Sequence, residues 1–456
     1  MEGIELPGFK VYPSSLQKVG ESTLFLARRG VQRFLVVVGK KPARFRGRQM
    51  VIGGKKVHLC PADGRNLRVL MSLFSFLRPK PAWLRPSVGF GDRLGLATPG
   101  HVRAARRLKI FPVLAQQSAR ELEKTGRSFG EVLEDAIWGV FQEGYTEGFG
   151  SDADHLTKLS QVREAAKAGY TGFTLDPSPY LCSADRVDLK KVSLWSPPAE
   201  LMKDYTSFEI VPGLRLEFGK DEALQLATKF ARSLRFVQQA WMLLREMVGE
   251  FDLEISLDET PQPTSPKEHF FFVRELKLRG VRITSFAPKF SGVFEKAVDY
   301  RGNLKQLKEE IRVHYLISQH LGPYKLSIHS GSDKNSIYPL LAGLPVHIKT
   351  SGTSYLLALR VVERRDPELF GKIRELAIRA YGRERESYRG LVSASADEAS
   401  LEGRGRQVFH VTYGAVLRKL GGKLKRVLSE NEEEYHSLLE QHFQIMASSF
   451  TSGDKR

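Results

Sequence analysis

LATKFARSLRFVQQAWMLLREMVG (226–249) runs almost directly into DLEISLDET (252–260), and this junction decides the fold. The first stretch repeats apolar residues at helical spacing along its whole length. The second alternates Leu253, Ile255 and Leu257 with Glu254, Ser256 and Asp258, the period of a strand with one apolar face. The pairing recurs. LSQVREAAKAGY precedes GFTLDPSPY (172–180), and IFPVLAQQS (110–118) leads towards the helical SFGEVLEDAIWGVFQEGY. RITSFAPKF (282–290), YKLSIHSGSD (324–333) and LPVHIKTSG (344–352) extend the series. Strands alternating with helices predict a parallel sheet. Six or more such units over about 270 residues, with no Gly-rich dinucleotide fingerprint, favour a closed (β/α)8 TIM-like barrel over an open doubly wound sheet.

Outward from this barrel the chain changes character. FLVVVGK (34–40) and KKVHLCPAD (55–63) predict strands, and NLRVLMSLFSFL (66–77) a helix, of a small α/β domain over 1–85. RPKPAWLRP (78–86), with three prolines, reads as a linker. The barrel domain is expected over 86–365. A mostly helical C-terminal region, 366–456, carries PELFGKIRELAIRAYG and EEEYHSLLEQHFQIM and is expected to pack on the barrel.

Composition narrows the class. The 456 residues are 41% hydrophobic and 27% charged, ordinary for a globular protein. No apolar run approaches the roughly 20 residues that span a bilayer, and the N-terminus shows no secretory leader. Cys60 and Cys182 are too few for a disulfide framework, so a reducing, cytoplasmic setting is expected. A net charge of +18 raises nucleic-acid binding as an alternative, but the basic residues are scattered and flank no recognition motif. Attraction of small anionic substrates fits them better.

Strand alternation also sorts side chains by face. With apolar positions turned to the helices, Glu254, Ser256 and Asp258 point inward, with Glu259 at the tip; so do His329, His347, Lys349 and Asp176. A lone strand-end histidine is more often structural, and Asp176 before Pro177 suits a turn. Charge at several strand ends is costly unless a metal or substrate compensates, and the C-terminal rim is where barrel chemistry sits. Imidazoles among carboxylates suit a divalent transition metal. GSDADHLTKL (150–159) crowds Asp152 and Asp154 against His155, which reads as a metal site, an acid–base pair or a solvated loop. HSGSDKNS (329–336) offers Ser330, Ser332, Lys334 and a permissive Gly331 to an anion.

FGDRLGLATPGHVRAAR (90–106), AQQSARELEKTGRSFGEVLEDAIWGVFQEGYTEGFGSDADH (115–155), SLDETPQPTSP (256–266), LSIHSGSDKNSIYP (326–339), HIKTSGTSY (347–355) and HVTYGAVL (410–417) resemble the tagaturonate/fructuronate epimerase family of bacterial hexuronate catabolism. The likeness is dense from about residue 88 onward and thinner before it and over 181–230. The resemblance implies a divalent metal, with Asp154 as proton acceptor beside the ligand His155 and Glu259 as proton donor. His329 and His347 are expected to complete three imidazole ligands. Nothing in the residues selects among zinc, manganese, iron, nickel and cobalt. Lys334 and Lys349 are candidates for the substrate carboxylate, with Lys289 and Arg93 behind them and Gln116, Asp176 and Ser332 near the sugar. The implied reaction inverts C4 of a ketohexuronate, counted with the ketone at C2. The C4 hydroxyl is β to that ketone, so a retro-aldol opening of C3–C4 and re-addition is the expected path, with weak action on fructose and tagatose. A metal-dependent sugar isomerase or aldolase on a related barrel is the alternative.

Overall fold

Strands and helices alternate from Ser87 to Thr350 and close on themselves as an eight-stranded parallel barrel. The computed structural model of the chain describes residues 5–451 apart from 43, 53, 109, 184–186, 194, 220 and 389. Residues 1–4, on which the expectation of no leader partly rests, lie outside the described residues. Among the described residues no helix is long and apolar enough to cross a membrane.

The chain opens with β1 (Lys10–Val19), β2 (Ser22–Arg29), β3 (Gln32–Val38), β4 (Arg48–Ile52) and β5 (Lys55–Pro61), an antiparallel sheet in the order β1-β2-β3-β5-β4. A helix, Gly64–Leu73, follows, capped by Asp63 accepting from the Asn66 backbone N–H. The expected α/β unit is thus a five-stranded antiparallel sheet with one helix. β3 and β5 are the strands legible from apolar runs. β1 escapes because it carries Pro13 and shifts register between Tyr12 and Gln17, and β4 because it is short and largely exposed.

The barrel strands are β6 (Ser87–Phe90), β7 (Phe111–Ser118), β8 (Gly150–Leu156), β9 (Gly172–Leu175), β12 (Asp252–Ser256), β13 (Ser285–Ala287), β14 (Lys325–Ile328) and β15 (Val346–Thr350). A hairpin, β10 (Ser207–Val211) and β11 (Leu214–Glu217), is inserted after β9. Neighbours pair in chain order, β9 pairs with β12 across the insertion, and β15 closes on β6 from His347↔Ser87 to Thr350↔Phe90. Alternation predicts six of these strands. β6 has only four residues, and β8 is Gly-Ser-Asp-Ala-Asp-His-Leu, poor in the β-branched and aromatic residues that mark strands.

Apolar side chains fall on the outer face as alternation predicts. Leu253, Ile255, Leu326, Ile328, Val346 and Ile348 are buried beneath helices that include Glu222–Met247 and Pro266–Leu278. Each such side chain contributes about 1.5–3 kcal/mol by leaving water, so the outer layer holds the barrel together. That frees the interior to carry Asp152, Thr174, Glu254, Ser285 and Lys325, all buried.

The helices Pro367–Glu384, Arg406–Glu430 and Glu432–Thr451 follow the barrel. The second reaches the rim beyond β15: a Cβ on residue 352 would stand 2.1 Å from the His410 ring, so Gly352 leaves that space to it. The third fastens the N-terminal sheet. Glu432 Oε2 accepts from Tyr12 Oη and Arg28, each at 3.0 Å, and from Lys10 at 3.2 Å, while Oε1 accepts from Gln142 Nε2 at 3.1 Å. Burial opposes ionisation of Glu432, but His436, Lys10 and Arg28 outweigh it and hold the carboxyl below its ordinary pKa. A carboxyl so depressed stabilises the fold above its unfolded pKa, and that contribution is lost as pH falls through the folded value. Glu432→Ala should therefore cost about 2–4 kcal/mol near pH 7 by orphaning Arg28 and Tyr12. In urea titrations the gap to the wild type should close below about pH 4; a gap indifferent to pH would contradict this account.

Candidate active site

β8 delivers two adjacent side chains to one place. Its ladder with β9 jumps from Ala153↔Phe173 to Leu156↔Leu175, three residues of β8 against two of β9, and His155 has φ 51°. This bulge brings His155 and Asp154 together. Adjacent residues of a regular strand point to opposite faces, so both can reach one site only where the strand geometry breaks. The break falls on His155 itself, a left-handed conformation that costs a non-glycine residue about 1–3 kcal/mol.

His329 lies directly after β14 and Asp258 just beyond β12, and both meet His155 at the C-terminal end of the barrel. The two imidazole centroids are 4.9 Å apart. His155 Nε2 lies 3.3 Å from Asp258 Oδ1, and His329 Nδ1 lies 3.2 Å from Asp258 Oδ2. One ligand atom from each residue fits within 4.8 Å of the others. Those two ring nitrogens are buried and make no hydrogen bond among the described residues. The opposite nitrogens are held by acids: His155 Nδ1 is 2.8 Å from Asp154 Oδ1, and His329 Nε2 is 2.7 Å from Glu254 Oε1. Imidazoles backed by carboxylates, with bare nitrogens converging on a third acid, have the donor pattern of a metal site. The charges agree. Burial alone would lower both imidazole pKa values, yet Asp154 and Asp258 lift His155 well above its ordinary value and Asp258 lifts His329. The surroundings favour positive charge here.

Beneath this cluster lies Lys349. Its Nζ stands 2.8 Å from Asp152 Oδ2, Asp154 Oδ1 and Glu254 Oε1, and it donates to Thr174 Oγ1. Asp154 Oδ2 accepts from Gln116 Nε2 at 2.8 Å. Burial pushes the Asp152 carboxyl up to about 6 against the pull of Lys349.

Above the cluster opens a cavity of about 310 Å³, lined by Glu259, Arg120, Lys289, Phe290, Phe294 and Leu391 among others. Glu259 is paired with Arg120 at 2.6 Å and lies 3.9 Å from His155 Nε2. Burial would raise the Glu259 carboxyl, but His155 and Arg120 hold it below the ordinary range. This is the acid with most access to the cavity, its side chain 30% exposed.

Several expected contacts fall elsewhere. His347 is not with His155 and His329: its Nδ1 lies 2.9 Å from Ser87 Oγ, in a small cavity with Lys325 and Asp252, and burial drops its pKa to about 3. It precedes Lys349 by two residues on β15, roughly 6.6 Å lower along the strand. Asp258 takes the third place in the cluster, which among the described residues joins two imidazoles and one carboxylate where three rings are expected. Lys349, ringed by three acids, is not open to a substrate carboxylate. Nor is Lys334, whose buried Nζ donates to the carbonyls of Glu295 at 2.8 Å, Ser332 at 3.4 Å and Val298. Ser332 is buried and serves through that carbonyl. Lys289 lines the cavity but donates to the carbonyls of Thr260 and of Pro261, the latter at 3.2 Å. Arg93 is paired with Glu121 at 2.6 Å and lies 3.7 Å from the Tyr413 ring centre. Asp176 is buried, its Oδ1 accepting from the Ser178 backbone at 2.9 Å.

Sequence reasoning misses the places that Asp258, Glu254, Arg120 and Lys296 take around the two imidazoles. Glu254 and Asp258 were readable as inward-facing. Arg120, on the short helix Ala119–Thr125, and Lys296, in the segment between β13 and the helix Leu304–Leu321, sit in stretches without periodic signal.

A closed parallel barrel with imidazoles and acids gathered at its C-terminal rim defines a barrel enzyme. A family model described as tagaturonate epimerase matches residues 12–446. The chain is 38% identical to a tagaturonate/fructuronate epimerase of Thermotoga maritima, over 95% of each chain. It is similar to the native crystal structure of a fructuronate-tagaturonate epimerase from Cohnella laeviribosi, with a TM-score of 0.88 and 32% identity over 97% of both chains. The protein belongs to the tagaturonate epimerase family, a family of carbohydrate epimerases.

The ligand set is open to a direct check. His329→Ala and Asp258→Ala should lose a divalent ion that the wild type holds at one equivalent, while His347→Ala should keep it, as read by metal analysis after gel filtration. Asp154→Asn should weaken the ion's affinity about 10–100-fold through loss of the acid behind His155. Retention by Asp258→Ala together with loss by His347→Ala would restore the three-imidazole set.

Proposed function

We propose that this protein interconverts D-tagaturonate and D-fructuronate, small anionic sugars, at a divalent metal centre held by His155, Asp258 and His329. The observation that carries the reading is the pair of buried, unbonded imidazole nitrogens facing Asp258, each ring backed by its own carboxylate, under a sugar-sized cavity. A bound divalent ion would supply Lewis acidity to carbonyl and hydroxyl oxygens.

Glu259 faces the cavity and carries the proton transfers. It takes the C4 hydroxyl proton as C3–C4 opens to an aldehyde and an enediolate; the aldehyde turns, the bond re-forms on its other face, and Glu259 returns the proton. Asp154 is assigned to hold His155, in place of the acceptor role that the resemblance implies, because its two oxygens already accept from Lys349, His155 and Gln116. A path of this kind leaves fructose and tagatose as weak substrates, since no bond to the carboxylate forms or breaks in it.

The test is product analysis by NMR with each ketohexuronate, before and after exhaustive chelation and metal return. Conversion should require the ion, and Glu259→Gln should lower kcat by about 10²–10⁴-fold with the ion retained. Undiminished turnover after chelation, or no conversion of either acid, would end the proposal. A carbonyl reagent should also trap the three-carbon aldehyde acid during turnover; no trapped product under conditions that capture an authentic standard would remove the retro-aldol path.

A further inference from the structure

Cations crowd the mouth of the barrel, and most have partners. Arg120 is paired with Glu259, Arg93 with Glu121, Arg406 with Asp333, and Lys349 with three acids. Lys296 differs. Among the described residues its Nζ has one hydrogen-bond partner, Ser330 Oγ at 2.6 Å, and no carboxylate within 4 Å. It lines a small recess together with Asp154, His155, Glu259 and Arg120, while Ser330, next to His329, lines the larger cavity. The ammonium therefore lies beside His155 and Glu259 and reaches the edge of the larger cavity, which Asp258 and His329 also line, through Ser330.

The backbone that carries Lys296 is fixed without help from its charge. Lys296 N–H donates to Leu391 O at 2.9 Å, and its carbonyl accepts from Gln407 Nε2 at 3.2 Å. The adjacent Glu295 is held by Arg301 at 2.8 Å, Ser393 Oγ at 2.8 Å and Gln407 at 3.1 Å. A half-buried ammonium given only a hydroxyl is under-satisfied until a ligand brings the opposite charge. Both ketohexuronates carry a carboxylate that neutral ketoses lack. Lys334, Lys349, Lys289 and Arg93, the cations that sequence alone offers for it, are taken by carbonyls and acids.

Resting on the epimerase reading above, we propose that Lys296, with Ser330 beside it, binds the substrate carboxylate and so sets the preference for an acid sugar over a neutral ketose. The pairing is a charge-assisted hydrogen bond, roughly twice as strong as one between neutral groups.

The test uses metal-loaded protein and calorimetric titration with D-tagaturonate and, separately, neutral D-tagatose, so that binding is read whether or not turnover occurs. Lys296→Met should weaken tagaturonate binding about 10–100-fold, leave tagatose binding within about twofold, and leave metal content unchanged. Lys296→Arg should recover most of the loss, and Lys296→Gln, which keeps a donor for Ser330, should not. In turnover the Met variant should show the loss in KM and not in kcat. Equal weakening for both sugars, a fall in kcat alone, or borohydride trapping of a sugar on Lys296 would overturn the assignment, as would a wild type that binds both sugars equally. A wild type that fails to epimerise, yet binds tagaturonate through Lys296, would sink the catalytic reading and leave this subsite standing.

Discussion

The barrel interior depends on one ammonium. Lys349 sits 2.8 Å from an oxygen of each of Asp152, Asp154 and Glu254, and among the described residues no other lysine or arginine pairs with these acids. Two of the three, Asp154 and Glu254, also orient the imidazoles of His155 and His329. Buried carboxylates in such number repel one another and resist desolvation. One lysine offsets part of that cost, and the upward push on the Asp152 carboxyl, to about 6, marks the part that is left. The remainder is negative potential at the rim, where His155, His329 and Asp258 converge. A site that attracts a cation is the consequence of how the barrel balances its own interior.

Geometry then sets what that potential can do. Asp154 and His155 are neighbours in the chain and would point to opposite faces of a regular strand. The bulge at His155 lets one strand supply both a ring and the acid that orients it. The strained residue lies at the site, and the surrounding pairing of β8 with β7 and β9 holds it there. The outer apolar layer does not change with this irregularity: Leu156 returns to register and is fully buried. Strain at the rim and regular packing outside are compatible because they involve opposite faces of the same strand.

The segment after the barrel takes part in the site and does not only cover it. His410 fills the space that Gly352 leaves, Tyr388 and His410 line the recess beside His155, and Gln407 and Ser393 hold the segment that carries Lys296. Arg120 donates to Ser387 O at 3.2 Å as well as pairing with Glu259, so the acid that faces the cavity is positioned from both sides. Contacts of this kind join residues far apart in sequence, and their cohesion depends on the closed barrel.

The sequence by itself determined the alternation of strands and helices, and with it the parallel barrel, because side-chain period is a local property of the chain. It also determined that Glu254, Asp258, His329 and Lys349 face inward, since their apolar neighbours are committed to the helices. Depth within the barrel is different. His347 and Lys349 share a face, yet one lies near the floor and the other beneath the ligand cluster; only the register of β15 on β6 and β14 decides that. β8, whose residues have little strand propensity, becomes a strand through its neighbours on both sides. Whether a lysine is free or engaged was likewise settled in three dimensions. Lys334, Lys349 and Lys296 are equivalent as letters, and only the groups brought to within hydrogen-bond distance separate a cation that fixes a loop, one that neutralises a core, and one left with a single hydroxyl.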